Sequence, residues 1–390
     1  MMKRLAIVTT HPIQYYAPIF RLLAENKNVQ LKVFYTWGES FQKTNDPGFG
    51  KIIEWDIPLL EGYWYEFLIN TSKKPGSKHY SGIINPEIIL RLNEFNPDSI
   101  LIFGWAYQSH LRVMRHFKGK IPVWFRGDST LLNENIGIKG LFKSTLKKIF
   151  LKWIYIHVDK AFYVGQNNKF YFKAYGLKTN QLIFAPHAID NERFSKKYNQ
   201  EGLKLRAGLS IPESSIVILF AGKLESNKNP FLLLSAFKNL NYNQSCHLII
   251  AGNGDLEEAL KLEGQSDNIH FLNFQNQSYM PVLYQSCDIF CLPSQSESWG
   301  LAINEAMACG KAIVASDKVG SAIDLVKPGE NGYIFKSGNL KDLQEKLEHL
   351  ITSKSLLHEY GLRSSEIISD WNFYRIASVI EQTLKNEPAR

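Results

Sequence analysis

Two glutamates in one short stretch carry the clearest chemical signal. They lie in Ser294-Gln-Ser-Glu-Ser-Trp-Gly-Leu-Ala-Ile-Asn-Glu-Ala-Met-Ala-Cys-Gly310. Glu297 falls in a loop after the apolar run Asp288 to Leu292, and Trp299-Gly300 opens a helix. Glu305 lies about one and a half turns into that helix, and Gly310 occupies the position that ends it. Backbone amides at a helix N-terminus, reached closely because Gly300 has no side chain, suit a diphosphate. A carboxylate ahead of the helix can accept hydrogen bonds from sugar hydroxyls, and one farther along can reach a ribose diol. The plainer alternative makes Glu297 a partner of the helix dipole and Glu305 a solvated helix residue. Spacing alone leaves both open.

Elements must hold these groups in place, and the chain supplies them by alternation. Strand-like runs at Arg4 to Thr10, Val29 to Tyr35, Ser99 to Phe103, Ile121 to Phe125 and Lys160 to Val164 are separated by helical patterns. This predicts a parallel sheet wrapped by helices. The polar segment Arg193 to Ser215 reads as a hinge. The alternation then restarts, with strands at Ile216 to Ala221, Cys246 to Ala251, Asp288 to Leu292 and Ala312 to Ala315 and helices near 230–240, 278–286 and 301–309. The expected organisation is a first Rossmann-like domain over 1–192, a linker over 193–215 and a second Rossmann-like domain over 216–370. Two such domains facing each other leave a cleft where their strand C-termini meet.

The pattern Glu297-x7-Glu305, continued by Ala306-Met-Ala-Cys-Gly-Lys-Ala-Ile-Val-Ala315, closely resembles the signature of family 4 retaining glycosyltransferases of the GT-B fold. The likeness runs on through Val319-Gly320-Ser321 and Pro328-Gly329-Glu330-Asn331-Gly332. Upstream, Ala221-Gly222-Lys223-Leu224 with Lys228 resembles the family's basic pair, and Ala251-Gly252-Asn253-Gly254 its short glycine turn. The resemblance implies that Glu297 binds the transferred sugar near its reacting centre and that Glu305 holds the ribose. It implies that Lys223 and Lys228 neutralise the diphosphate as it leaves. It places Gly222, Gly252, Ser298, Trp299, Gly300 and Leu301 around the donor. Fixed cations stabilise a departing anion more in the transition state than in the ground state. No metal or other cofactor would then be needed, and no Asp-x-Asp element is present. Trp371 to Lys385 reads as a final helix, and the resemblance implies that 371–390 crosses back onto the first domain.

In place of the family's Gly-Gly pair, the loop after the first strand carries Thr10-His-Pro-Ile-Gln-Tyr-Tyr-Ala-Pro18. This version, with Asp46-Pro-Gly-Phe-Gly50 and Trp55 to Tyr63, looks like a bacterial subset of the family. His11 and Gln14 are expected at the cleft on the acceptor side, although His11 reads equally as a turn or cap residue. Arg126-Gly127-Asp128 follows another strand. Arg126 could grip an anionic acceptor group or the donor phosphate, and Asp128 could orient the acceptor. Alternatively the two simply pair and brace a loop.

Bulk properties agree without deciding. The chain has 390 residues, a net charge of +8 and 45% hydrophobic residues. That is enough for two cores, and the charge favours anionic partners such as nucleotide phosphates or anionic lipid. Nucleic acid is not expected, because the lysines are dispersed and no recognition motif appears. The four cysteines lie in apolar stretches, with no second Cys or His pair to complete a zinc site. No run of apolar residues suits a signal peptide or a membrane span. A cytoplasmic protein is expected, with attachment to the inner face of the membrane open. The basic stretch Lys139 to Lys160 holds six lysines against one aspartate. Its apolar stripe reads as core packing, and weak contact with an anionic membrane surface stays open for its lysines and Trp153. The expected activity is transfer of a sugar from a nucleotide diphosphate sugar to a glycan or lipid-linked acceptor in surface polysaccharide synthesis. A nucleotide-sugar epimerase and a non-catalytic nucleotide-sugar binder are the alternatives.

Overall fold

The computed structural model describes residues 2–38, 45–46, 51–52, 55–132, 138–240 and 246–388, with the side chains of 45–46, 51–52 and 138–144 excluded. Asp46 to Gly50 therefore lies largely outside the described residues. The strands are β1 Lys3–Thr9, β2 Val29–Tyr35, β3 Asn45–Asp46, β4 Lys51–Ile52, β5 Tyr65–Phe67, β6 Ser99–Phe103, β7 Val123–Arg126, β8 Lys160–Tyr163 and β9 Leu182–Phe184. They continue with β10 Ile216–Ala221, β11 Cys246–Ala251, β12 Ile269–Leu272, β13 Ile289–Leu292, β14 Ala312–Ser316 and β15 Gly332–Phe335.

The chain forms two compact units. The first comprises Met1–Thr44, Pro58–Pro186 and Phe373–Arg390, and the second Asn45–Ile57 and His187–Asn372. In the first, seven parallel strands run in the order β5-β2-β1-β6-β7-β8-β9. In the second, six parallel strands run β12-β11-β10-β13-β14-β15. Both are doubly wound orders. Connections leave in opposite directions from β1 and β6 in the first sheet, and from β10 and β13 in the second. Ligands bind at such switch points, beyond the strand C-termini. The short hairpin of β3 and β4 is antiparallel.

Each sheet buries its interior strands on both faces. β6, β10 and β11 are buried at every residue, which is why these runs are almost wholly Val, Ile, Leu, Phe and Ala. The C-terminal helix Phe373–Lys385 packs on the helix Ala17–Glu25 and on β1 within the first unit. Its Ile376, Ile380 and Leu384 are buried at helical spacing.

The expected linker over 193–215 is not one. Asn191–Ser195 and Asn199–Gly208 are helices of the second unit. Arg193 donates to the carbonyl and side chain of Gln277, both at 3.0 Å. Arg206 is buried, and its guanidinium donates to the Ser286 carbonyl at 2.7 Å and to Asp288 at 2.8 Å. The polar composition is that of surface helices held by two inward-turned arginines, not of a solvated tether.

Candidate functional site

The second unit gathers its chemistry where β10 and β13 end. After β10, Gly222 and Lys223 lead into a 3₁₀ turn, Ser226–Lys228, closed by Asn229 in the left-handed region. Pro230 then starts a helix, its fixed φ suited to a first turn. After β13, residues 293–300 form the loop to the helix Leu301–Ala308. The two loops are tied by a hydrogen bond from the Gln295 amide to the Asn227 carbonyl, 2.7 Å. They bring the Lys228 ammonium and the Glu297 carboxylate into a salt bridge, with both side chains less than one-fifth exposed. Glu297 is further fixed by its backbone, which bridges to Val319 and accepts from the Gly320 amide at 3.1 Å.

Gly300 caps the helix at φ +89°, and a Cβ there would lie 2.9 Å from Val319 and 3.0 Å from Leu292. Glycine is therefore required by conformation and by space, and the helix amides behind it stay approachable. Ser298 and Leu301, on either side, are half-buried. Gly252, expected among the donor contacts, serves the packing of the unit. A Cβ at Gly252 would fall 1.9 Å from the Gly222 carbonyl oxygen, at φ +142°. It lets the loops after β10 and β11 pack backbone to backbone, and Asn253 completes the joint by accepting from the Phe274 amide at 2.8 Å and donating to Glu257 at 2.7 Å. At Gly222, by contrast, only Phe220 would touch an added Cβ, at 3.7 Å.

Two more expectations change. Trp299 is 2% exposed. Its indole nitrogen donates to Asn304 at 2.9 Å, its ring stacks on Trp371 at 5.4 Å, and Asn304 in turn donates to the His187 carbonyl at 2.9 Å. It anchors the loop that carries Glu297 rather than lining a donor pocket. Glu305 is 3% exposed and accepts from the buried Tyr284 hydroxyl at 2.8 Å, so it is not a solvated helix residue. Tyr284 lies outside the motif, and Asn304 lies within it without a role of its own there. Only contact in the folded chain identifies them.

The first unit places its residues at the corresponding switch point, after β1, β6 and β7. His11 is half-buried with its ring edge-on to Trp37, 5.8 Å between centroids, and desolvation lowers its pKa to about 4. Gln14 sits half-buried in the turn that Ile13 closes by accepting from Ala17 at 3.0 Å. Beneath them lies a network the sequence did not announce. His110 is fully buried, with Nδ1 2.9 Å from the Gly104 carbonyl and Nε2 2.9 Å from the Thr36 hydroxyl. A carbonyl only accepts, so Nδ1 carries the proton and Nε2 is the acceptor. Burial lowers the pKa of this imidazole to about 4, keeping it neutral. Asn85 fixes the neighbouring backbone by donating to Thr36 at 3.0 Å and Ile69 at 2.9 Å.

Arg126 does not reach for an anion. It is 2% exposed, and its two terminal nitrogens donate to the carbonyls of Ala185 at 2.9 Å and Pro186 at 2.8 Å. Desolvation pushes its pKa down to about 10, against the favourable charges of Tyr16 and Asp128. Tyr16, raised to about 12 chiefly by burial and then by Asp128, completes this group. Arg126 thus braces the chain leaving β9, and half-buried Asp128 balances its charge. Among the described residues no group of three or more His, Cys, Asp or Glu is placed to hold a metal ion. All four cysteines are free, three of them buried.

Residues 203–365 match the family described as glycosyl transferases group 1. A curated relative from Campylobacter jejuni, N,N'-diacetylbacillosaminyl-diphospho-undecaprenol alpha-1,3-N-acetylgalactosaminyltransferase, is 27% identical over 61% of this chain and 63% of its own. The Arabidopsis thaliana sulfoquinovosyl transferase is 26% identical over 48% of this chain and 36% of its own. The chain thus spans less than two-thirds of the length of both. The Anabaena protein HepE, solved with UDP, superposes at a TM-score of 0.74 over 98% of this chain and 100% of its own, at 17% identity. The fold of the chain is GT-B.

Proposed function

We propose that the protein is a retaining glycosyltransferase that moves a sugar from a nucleotide diphosphate donor to a glycan or lipid-linked acceptor. The observation that carries this is the Lys228–Glu297 pair, fixed at a switch point inside the segment that matches glycosyl transferases group 1. The diphosphate sits against the amides after Gly300 and beside Lys223 and Lys228. Its arrival loosens Lys228 from Glu297, which frees the carboxylate to bind a hydroxyl of the sugar. In the transfer, the bond from the anomeric carbon to the diphosphate oxygen breaks and a bond to the acceptor oxygen forms on the same face. The acceptor's proton passes to the departing phosphate oxygen, so no protein base is required and configuration is kept. The two lysines stabilise the charge that develops on the leaving group. Glu305, steadied by Tyr284, holds the ribose.

His11, Gln14 and Asp128 shape the acceptor side. A polyprenyl diphosphate-linked acceptor in surface polysaccharide synthesis is favoured by the Campylobacter relative's named substrate, and a uridine nucleotide by the UDP-bound HepE. A panel of nucleotide sugars with chelator present, read by NMR of the new linkage, tests the proposal. Transfer with the donor's anomeric configuration supports it. An inverted product or a strict metal requirement overturns the mechanism.

A further inference from the structure

The helix Ile138–Tyr155 carries two apolar stripes, not one. Leu151, Ile154 and Tyr155 face the core and are buried. Leu146, Ile149, Phe150 and Trp153, spaced i, i+3, i+4 and i+7, form a second stripe on the solvent side, and Ile156 extends it. Ile149 is 61% exposed, Ile156 62% and Trp153 38%. Of the stripe expected to pack on the core, Phe142, Leu146, Ile149, Phe150, Trp153 and Ile154, only Ile154 is buried among the described side chains. Phe150 and Trp153 stack on each other at 5.9 Å, and Arg115 lies over the Trp153 ring at 5.5 Å.

The surroundings are cationic. Lys147, Lys148 and Lys152 are exposed beside the stripe. Two grooves open next to it. One, of about 600 Å³, carries Arg112 and Arg115 in its lining. The other, of about 570 Å³, is lined by Lys118, Lys152 and Lys178. From Ile138 to Val158 the chain contains no Asp or Glu, and the nearest acid, Asp159, is already paired with Lys118.

We infer that this face docks on an anionic lipid bilayer. The apolar ridge enters the headgroup boundary while lysine and arginine meet lipid phosphates on either side. Aromatic and aliphatic side chains flanked by one sign of charge fit that interface. A second copy of the chain fits poorly, because pairing this face with itself would bring like charges together. Nucleic acid would satisfy the cations but leave the aliphatic ridge in water. The inference is independent of the sugar-transfer reading.

Flotation of the full-length protein with vesicles tests it. Vesicles of phosphatidylcholine with one-third phosphatidylglycerol should carry the protein, and vesicles of phosphatidylcholine alone should not. Both Phe150→Ser with Trp153→Ser and Lys147→Glu with Lys148→Glu and Lys152→Glu should weaken binding at least about ten-fold. The lysine variant replaces exposed side chains only, so its melting temperature should not change, and nucleotide binding should survive in both variants, which separates this test from that of the transferase reading. Absence of wild-type binding to anionic vesicles, or undiminished binding by either variant, overturns the inference. So does self-association or nucleic-acid binding that the serine variants abolish while vesicles bind no protein.

Discussion

The two units use one topology for opposite chemistry. At the switch point of the second, an ammonium and a carboxylate face each other across the ends of β10 and β13. At the switch point of the first, the polar groups beyond β1, β2 and β6 are neutral and mostly paired within the unit: His110 between Thr36 and Gly104, with the Asn85 amide nitrogen donating behind them. Its one buried arginine among the described residues, Arg126, directs both terminal nitrogens to carbonyls of its own chain. Charge held partly exposed can be re-partnered by a ligand. Charge and polarity that are fully buried and satisfied are structural. On the proposed reading, the contrast gives the ionic work to the second unit and shape to the first.

The largest effect should follow from breaking the ionic side. Glu297→Ala should lower the turnover number by about 100- to 1,000-fold, the range for one lost transition-state contact, with nucleotide affinity retained. An equal loss in Arg126→Met, in protein that melts normally, would erase the contrast.

Backbone packing separates the units next. Gly252→Ala forces a Cβ to 1.9 Å from the Gly222 oxygen and should cost about 2–4 kcal/mol of stability. Gly104, at φ +75° beyond β6, has nothing within 4 Å of an added Cβ, so Gly104→Ala should cost about 1 kcal/mol. Thermal unfolding of the two variants gives the comparison directly.

The neutral network predicts a pH dependence. Because the folded His110 pKa lies near 4, below the ordinary 6.5, the unfolded chain binds more protons between these values. Stability is then full above about 6.5 and declines as pH falls towards 4. The loss from this group is about 2 kcal/mol at pH 5. His110→Asn should flatten the melting profile between pH 7 and 5, and an unchanged slope would remove His110 as its cause.

The smallest effect belongs to Glu305→Gln. The amide oxygen can still accept from Tyr284, so melting should barely move. Nucleoside diphosphate affinity should fall about ten-fold, the size of one lost charged hydrogen bond. Unchanged affinity would make Glu305 purely structural.

Legibility in the sequence followed burial. Every interior strand of both sheets stood out as an apolar run. The four edge strands, β5, β9, β12 and β15, did not. Edges are half-buried and short, as in Tyr65–Phe67 and Leu182–Phe184, so they lack a continuous apolar signal. Contiguous motifs named residues that the fold does bring together, Lys228 and Glu297 among them. Legibility failed where long-range contact decides a role. Trp299 looked like a ligand contact but stacks on Trp371, 72 positions away. Arg126 looked available but is spent on Ala185 and Pro186, and His110 gave no sign because its partners come from other strand ends.

The central claim is that the Lys228–Glu297 switch point receives the nucleotide diphosphate. Calorimetric titration of UDP, GDP, ADP and dTDP, with chelator present, into wild-type protein and Lys228→Ala tests it most directly. The account predicts that one nucleotide binds the wild type and binds Lys228→Ala at least about ten-fold more weakly. Binding that Lys228→Ala leaves unchanged, or no binding of any of the four, would contradict it.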